Sequence, residues 1–225
     1  MKEQYPLVQP EAVEQYKKAK LTNNKLYPSI EVVRLEKLFF NGKKGKILDY
    51  GIGGGCNSFH FLKLGYKVHG LDVSSTSLKM IKHICKKNKI KVPKLFLLKK
   101  NDRKLPFPDS SFDYVIGISV LSLLGSRKKI KYLLSEFRRI LKKKGKIILD
   151  MNDHNSEFSQ NKKQIAKNVF ISKIVTNKIR CYCLKNIHEF ENLIKPYFKI
   201  SDKGFSAHSV FKRRIREFII CAEKK

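Results

Sequence analysis

The chain has 225 residues, 42% hydrophobic and 11% aromatic, with 49 Lys plus Arg against 19 Asp plus Glu, a formal charge of +30. This composition excludes a wholly disordered chain, and a chain of this length builds a core without disulfides or a metal. The longest apolar runs, such as Tyr114–Val120, fall far short of the ~20 residues that span a bilayer, and the N-terminal MKEQYPLVQPEAVEQ has no apolar signal-like stretch.

Two helical stretches, Glu11–Lys20 and Ile30–Phe39, come first, with Pro28-Ser29 at the expected start of the second. Lys46–Tyr50 (KILDY) reads as a buried strand that ends at glycines. Asn57–Leu64 reads as a helix, Lys67–Leu71 as a strand, and Ser75–Asn88 as a helix with Leu78, Ile81 and Ile84 or Cys85 on one face. Leu95–Leu98 and Phe112–Ile118 are the third and fourth strands. The helix Lys128–Leu141 carries Ile130, Leu133, Leu134, Phe137 and Leu141 at helical spacing, and Lys146–Asp150 is the fifth strand. Such strand–helix repetition predicts a parallel sheet with helices on both faces. Asn152–Arg180 is polar and weakly patterned, the signature of a functional lid or a disordered excursion. Asn186–Lys195 reads as a helix ended by Pro196. Phe198–Phe205 and Ile215–Ala222 read as a last, antiparallel pair of strands at the sheet edge.

The first strand runs into Asp49-Tyr-Gly51-Ile-Gly53-Gly54-Gly55 and then into a helix. Glycines there allow a tight turn and a close ligand approach at a helix N-terminus. The dinucleotide fingerprint fails, because its last glycine position is Cys56. Asp72 ends the second strand, where an acid can accept both ribose hydroxyls of an adenosine. Asn101-Asp102 follows the third strand, and LPFPDSSFDYVI (Leu105–Ile116) follows that.

In these segments, from about Ile30 to Asp150, the chain resembles a class I S-adenosylmethionine-dependent methyltransferase of the broad group with an LPF-x-D-x-x-FD segment. FRRILKKKGKIIL resembles the "R-x-L-K-P-G-G" turn of that group, read with Lys144 in place of the proline and Lys146 replacing the second glycine. The resemblance implies an α/β, Rossmann-like doubly wound, mostly parallel seven-stranded sheet with an antiparallel C-terminal strand. It implies a helical lid over residues 1–40 and a methyltransferase domain over 41–225, with an insertion at about 152–180.

The implied cofactor is S-adenosylmethionine. Gly51, Gly53 and Gly55 would let its amino-acid end lie close, and Asp49 would orient the loop and reach its ammonium. Asp72 would accept the ribose hydroxyls and Val73 would pack on the adenine. Asn101 or Asp102 would hold the adenine amino group, with Arg103 over its edge and Ser119 near the sulfonium. Tyr16, Tyr27 and Arg34 in the lid are placed to reach the carboxylate, Arg34 as a bidentate partner or in a plain ion pair with Glu31 or Glu36. Asp153 and His154, just past the fifth strand, are the candidate general base, against the plainer reading of a polar loop. Asp113, Phe107 and Phe112 read as structural.

No Asn/Asp-Pro-Pro-Tyr/Phe segment follows the fourth strand, which argues against methylation of exocyclic base amines or glutamine. Cys181-x-Cys183 is the one close cysteine pair, and no second pair completes a zinc site, so no metal is expected. Five scattered cysteines point to a reducing cytoplasm rather than a disulfide framework. The charge has two readings: a polyanion partner, or compositional drift that inflates Lys, Asn and Ile together. The 40 Lys against 9 Arg favour drift, because phosphate clamps prefer the fork of Arg. The expected acceptor is an oxygen or nitrogen of a small metabolite, such as a sugar or glycan precursor. The alternative is tRNA or rRNA methylation through a basic surface that includes Arg138, Arg139 and Lys142 to Lys144. No membrane insertion is expected, and the sequence leaves the oligomeric state open.

Overall fold

A computed structural model describes residues 26–99, 102–174, 177–210 and 213–225. The expected helix Glu11–Lys20, Tyr16 and Asn101 lie outside the described residues. Helix α1 (Ile30–Leu35) runs into a π-helical turn, Glu36–Phe40. Strand β1 (Lys46–Tyr50) is followed by α2 (Cys56–Lys63), β2 (Lys67–Asp72), α3 (Ser75–Lys87), β3 (Lys94–Leu97) and β4 (Phe112–Gly117). A 3₁₀ turn (Leu121–Leu124) leads to α4 (Arg127–Ile140) and β5 (Leu141–Asn152). Strands β6 (Lys163–Ala166), β7 (Val169–Ile174) and β8 (Asn177–Tyr182) precede α5 (Ile187–Ile194), β9 (Phe198–Val210) and β10 (Arg213–Lys224).

Seven strands form one sheet in the order β3-β2-β1-β4-β5-β10-β9. All its pairs are parallel except β10 with β5 and β10 with β9, so β10 is the single reversed strand. This is the Rossmann-like sheet that the sequence led us to expect. The order reverses between β1 and β4, and the carboxyl ends of the strands there form the crevice where ligands of open α/β sheets bind.

Period-2 alternation sends side chains to two cores. On one face Leu48, Val115, Ile147, Leu149 and Ile220 pack with Ile130, Leu134 and Phe137 of α4 and Phe190 of α5. On the other, Ile47, Tyr114, Ile116, Ile148 and Cys221 pack with Val32, Phe40 and Phe61. The stretch 26–40, expected as a lid, thus supplies core: Val32 and Phe40 have no exposed surface, and the Phe40 ring lies 4.2 Å from that of Tyr114.

Two sequence readings need correction. The excursion 152–180 is an antiparallel three-stranded sheet, β6-β7-β8. Its Phe170, Ile179, Cys181 and Cys183 pack against Leu123 and Phe158. The turn between β6 and β7 is Lys167-Asn168, with Asn168 at φ +64°, a left-handed conformation that Asn tolerates well. Lys144, read at the proline position of the turn before β5, has φ +60°. Proline cannot adopt that angle. Lys144 therefore stands where the first glycine of the pattern belongs, one residue earlier in register.

Candidate active site

The carboxyl ends of β1 and β2 are joined through the glycine loop. The backbone N–H groups of Gly51 and Ile52 both donate to the Leu71 carbonyl, at 2.8 and 3.1 Å. Gly53 N–H donates to Asp72 Oδ2 at 2.8 Å, and Ser74 N–H donates to Asp72 Oδ1 at 2.8 Å. Asp72 also begins the turn into α3, whose N-cap is Ser74. With the Val73 N–H as a further donor, the carboxylate still keeps a lone pair for a ligand. Asp49, below the loop, accepts from Ser58 Oγ at 2.7 Å, which ties β1 to the first turn of α2. Burial first, and repulsion from Asp72 second, push the Asp49 carboxyl up to about 7.

The glycines differ in their reasons. Gly51 has φ +74°, and a Cβ there would meet Val120 Cγ2 at 2.6 Å. Gly55 has φ +81°, and its Cβ would press on Phe59 at 3.0 Å and Ile81 at 3.2 Å. At Gly53, with φ +52°, a Cβ would meet nothing nearer than the Gly51 carbonyl at 3.8 Å. The loop is bare on that side. Two buried carboxylates, a bare glycine turn and a helix N-terminus together suit the polyhydroxyl and ammonium groups of an aminoacyl-nucleoside cofactor.

The other sequence candidates are scattered. Val73 packs half-buried on the main core. Asp102 Oδ2 is turned back to accept from Lys99 N–H at 2.7 Å, and Arg103 is exposed, its carbonyl accepting from the Tyr132 hydroxyl at 2.6 Å. Tyr27 is exposed. Ser29 N–H donates to Asn57 Oδ1 at 3.0 Å, which seats the start of α1 on α2 just past the glycine loop. Arg34 instead lines a groove of about 520 Å³ with Glu31, Leu38, Phe205, Ser206 and His208.

Asp153 and His154 are engaged elsewhere. Asp153 is buried; its Oδ2 accepts from Arg216 Nε at 2.9 Å and its Oδ1 from Asn155 N–H at 2.7 Å. His154 Nε2 is 3.0 Å from Asn168 Oδ1, and its ring meets Phe170 edge-on. These contacts fasten β5 to β10 and to the small sheet.

Sequence reasoning missed a group of acids beside Ser119. Ser119, at φ +56°, donates its N–H to Asp150 Oδ1 at 2.7 Å and its hydroxyl to Glu217 Oε1 at 3.3 Å. Asp150 and Glu217 thus meet at Ser119, where the charge of each bears on the other. Burial first, and mutual repulsion with it, hold the Asp150 carboxyl well above the usual range, and burial raises Glu217. Glu31 of α1 adjoins them and accepts from Ser29 Oγ and Ser206 Oγ, each at 2.7 Å. Burial acts to raise its carboxyl, but the two hydroxyls together hold it lowered. The signal in the sequence was slight: one acid at the end of each of two apolar strands, KIILD and EFIICA.

The family described as "Methyltransferase domain" matches residues 48–149. An uncharacterized protein of Methanocaldococcus jannaschii, MJ1123, is 30% identical over 195 residues, covering 83% of this chain and 85% of that protein. The ubiquinone biosynthesis O-methyltransferase of Pelagibacter ubique is 30% identical over 108 residues, 46% of this chain and 40% of that one. The chain spans about half or less of the length of several other curated relatives that it matches. A solved S-adenosylmethionine-dependent methyltransferase from Methanosarcina mazei shares the fold with TM-score 0.69 at 21% identity, over 83% of this chain and 96% of that one.

Proposed function

The chain belongs to the class I S-adenosylmethionine-dependent methyltransferases, and from that premise we propose that it methylates an oxygen or nitrogen atom of a small acceptor at the carboxyl edge of the sheet. S-adenosylmethionine, when bound, supplies a methyl group on an electrophilic sulfonium. The observation that carries the acceptor's place is the contact of Gly51 with Val120, next to Ser119, which in turn holds Asp150 and Glu217. Cofactor loop and acid group are thus neighbours on one edge.

In this reading Asp72 accepts from the ribose, and the bare backbone at Gly53 admits the cofactor's amino-acid arm. Asp49 faces its ammonium, and Val73 gives the adenine an apolar wall. The opposed duties of binding and exclusion fall on α1, whose start is fixed to α2 through Ser29 and Asn57. Placing acceptor and methyl in line supplies up to ~7–11 kcal/mol of the barrier in favourable systems. A hydroxyl acceptor adds the need for a base, and Glu217 is better placed for that work than the ion-paired Asp153. Beside the sugar that the sequence suggested, the name of the Pelagibacter relative, a ubiquinone biosynthesis O-methyltransferase, supports an oxygen acceptor.

The RNA alternative has less support. Arg139, a member of the expected basic patch, is spent on Glu136, Asp109 and the carbonyls of Leu105 and Phe107, and Lys142 is paired with Asp113. The test is calorimetric titration with S-adenosylhomocysteine, then transfer of labelled methyl to fractionated lysate. Saturable binding and nuclease-resistant label in the small-molecule pool are expected. No binding at millimolar ligand sinks the proposal, and nuclease-sensitive label moves the acceptor to RNA.

A further inference from the structure

We propose that Asp150, Glu217 and Asn152 form the binding site for a protonated amine, whose nitrogen receives the methyl group. The inference rests on the methyltransferase reading above and narrows its acceptor.

Glu217 of β10 stands directly opposite Asn152 of β5, and Asp150 lies two residues before Asn152. Strand alternation therefore sets all three side chains on one face. It is the face covered by α1, which brings Glu31. Ser119 borders the group past β4, and Ser206 and the exposed His208 border it from β9.

Acids alone do not make a site. The independent observation is Asn152. Its side-chain Oδ1 is buried with no hydrogen-bond partner among the described residues, and the residue is only 3% exposed. Its backbone is already served, N–H by Ser122 Oγ and carbonyl by Leu184 N–H. A buried acceptor left unpaired is costly, and native structures seldom tolerate it without a ligand or water. Acceptor groups therefore converge here on a missing donor.

Charge selects the donor. Asp150 and Glu217 set two carboxyl groups on Ser119, and Glu31 is a third beside them, against the one guanidinium of Arg34 that lines the groove with Glu31. A hydroxyl would bring one donor and no charge. An ammonium brings three donors and one positive charge. In a chain of net charge +30, a cationic acceptor is otherwise repelled, so a local acid group is what its capture requires. A metal ion is the weaker occupant: among the described residues no three His, Cys, Asp or Glu side chains are disposed to hold one.

The same groups serve the chemistry. A proton leaves the ammonium nitrogen for the Glu217 carboxylate. The freed nitrogen pair forms the N–CH3 bond as the S–CH3 bond breaks, and the S–C electrons remain on sulfur. The products are a methylammonium, a thioether and a protonated Glu217.

The test uses the full chain loaded with S-adenosylhomocysteine. Ethanolamine, putrescine and n-butylamine are titrated beside their neutral counterparts ethylene glycol, 1,4-butanediol and n-butanol, with binding read by ligand-observed NMR. At least one amine binds and its neutral counterpart does not. Glu217→Gln weakens that amine by about tenfold or more and leaves S-adenosylhomocysteine affinity unchanged, which also shows the variant folded; Asp150→Asn is the second variant. Equal binding of alcohols, binding by no amine, or an unaltered amine affinity in Glu217→Gln overturns the inference. Failure of the wild-type chain to bind S-adenosylhomocysteine would overturn the methyltransferase reading instead.

Discussion

Gly53 N–H and Asp72 Oδ2 are 2.8 Å apart, so the bare turn of the glycine loop hangs from the acid at the end of β2. The same carboxylate caps Ser74. One side chain thus shapes the loop and starts α3, and in the proposed function it also meets the ribose.

Asp72→Asn should therefore act twice. An amide has one acceptor oxygen for two backbone donors, and its NH2 would face one of them. Removal of a charge-assisted bond to a buried donor costs about 1–3 kcal/mol. We expect stability to fall by that amount in urea unfolding, and S-adenosylhomocysteine affinity to fall by about tenfold or more. Unchanged affinity in a folded variant would take Asp72 out of the site.

Gly53→Ala and Gly55→Ala separate ligand space from packing. Both place alanine at positive φ, at about 1–2 kcal/mol. Gly55→Ala also presses on Phe59 and Ile81, and overpacking adds about 1–3 kcal/mol. Gly53→Ala meets only the Gly51 carbonyl, at an ordinary contact distance of 3.8 Å. Melting temperature should drop further for Gly55→Ala, while cofactor affinity, corrected for stability, should drop further for Gly53→Ala. The reverse order would mean that the ligand lies on another side of the loop.

The parts legible in the sequence are those with local causes. Gly51, Gly53 and Gly55 announce themselves because positive φ is needed there, and the helices α3 and α4 because their apolar spacing is regular. The acid group was not legible, because Asp150, Glu217 and Glu31 meet only when β10 inserts antiparallel beside β5 and α1 folds over them. Neither was the small sheet: β6 is exposed along its length, so it carries no alternation to read. Its one cue was Lys167-Asn168 ahead of Val169-Phe170-Ile171. Asp153 drew notice as an acid past β5, but Arg216, its partner, lies on a strand that only the tertiary fold brings near.

That ion pair yields its own expectation. Asp153 is buried, and Arg216 is about a third exposed. Asp153→Asn keeps the shape and removes the charge. Breaking such a half-covered pair should cost about 1–3 kcal/mol of stability, while kcat, measured below the unfolding range, stays near that of the parent. A hundred-fold loss of kcat in a variant of parental stability would restore Asp153 as the catalytic base.

Asp49 links the fold to pH. Its folded pKa, about 7, stands above the ordinary 3.8 of the unfolded chain, chiefly because the carboxyl is wholly buried. Between those values the folded chain holds a proton that the unfolded chain has lost. Its stabilising contribution is therefore full below pH 4 and disappears as pH rises toward 7, a change of about 4 kcal/mol. Asp49→Asn should flatten that segment of the stability–pH curve, and the difference between parent and variant isolates this group from the others that titrate. Cofactor binding should show the opposite slope. A cationic ammonium placed beside Asp49 favours its charged form, so binding expels the proton and affinity rises with pH up to about 7, by at most about tenfold per unit. Calorimetry in two buffers of different ionisation enthalpy counts the proton released. No release by the parent at pH 6, or the same release from Asp49→Asn, would separate Asp49 from the cofactor's ammonium.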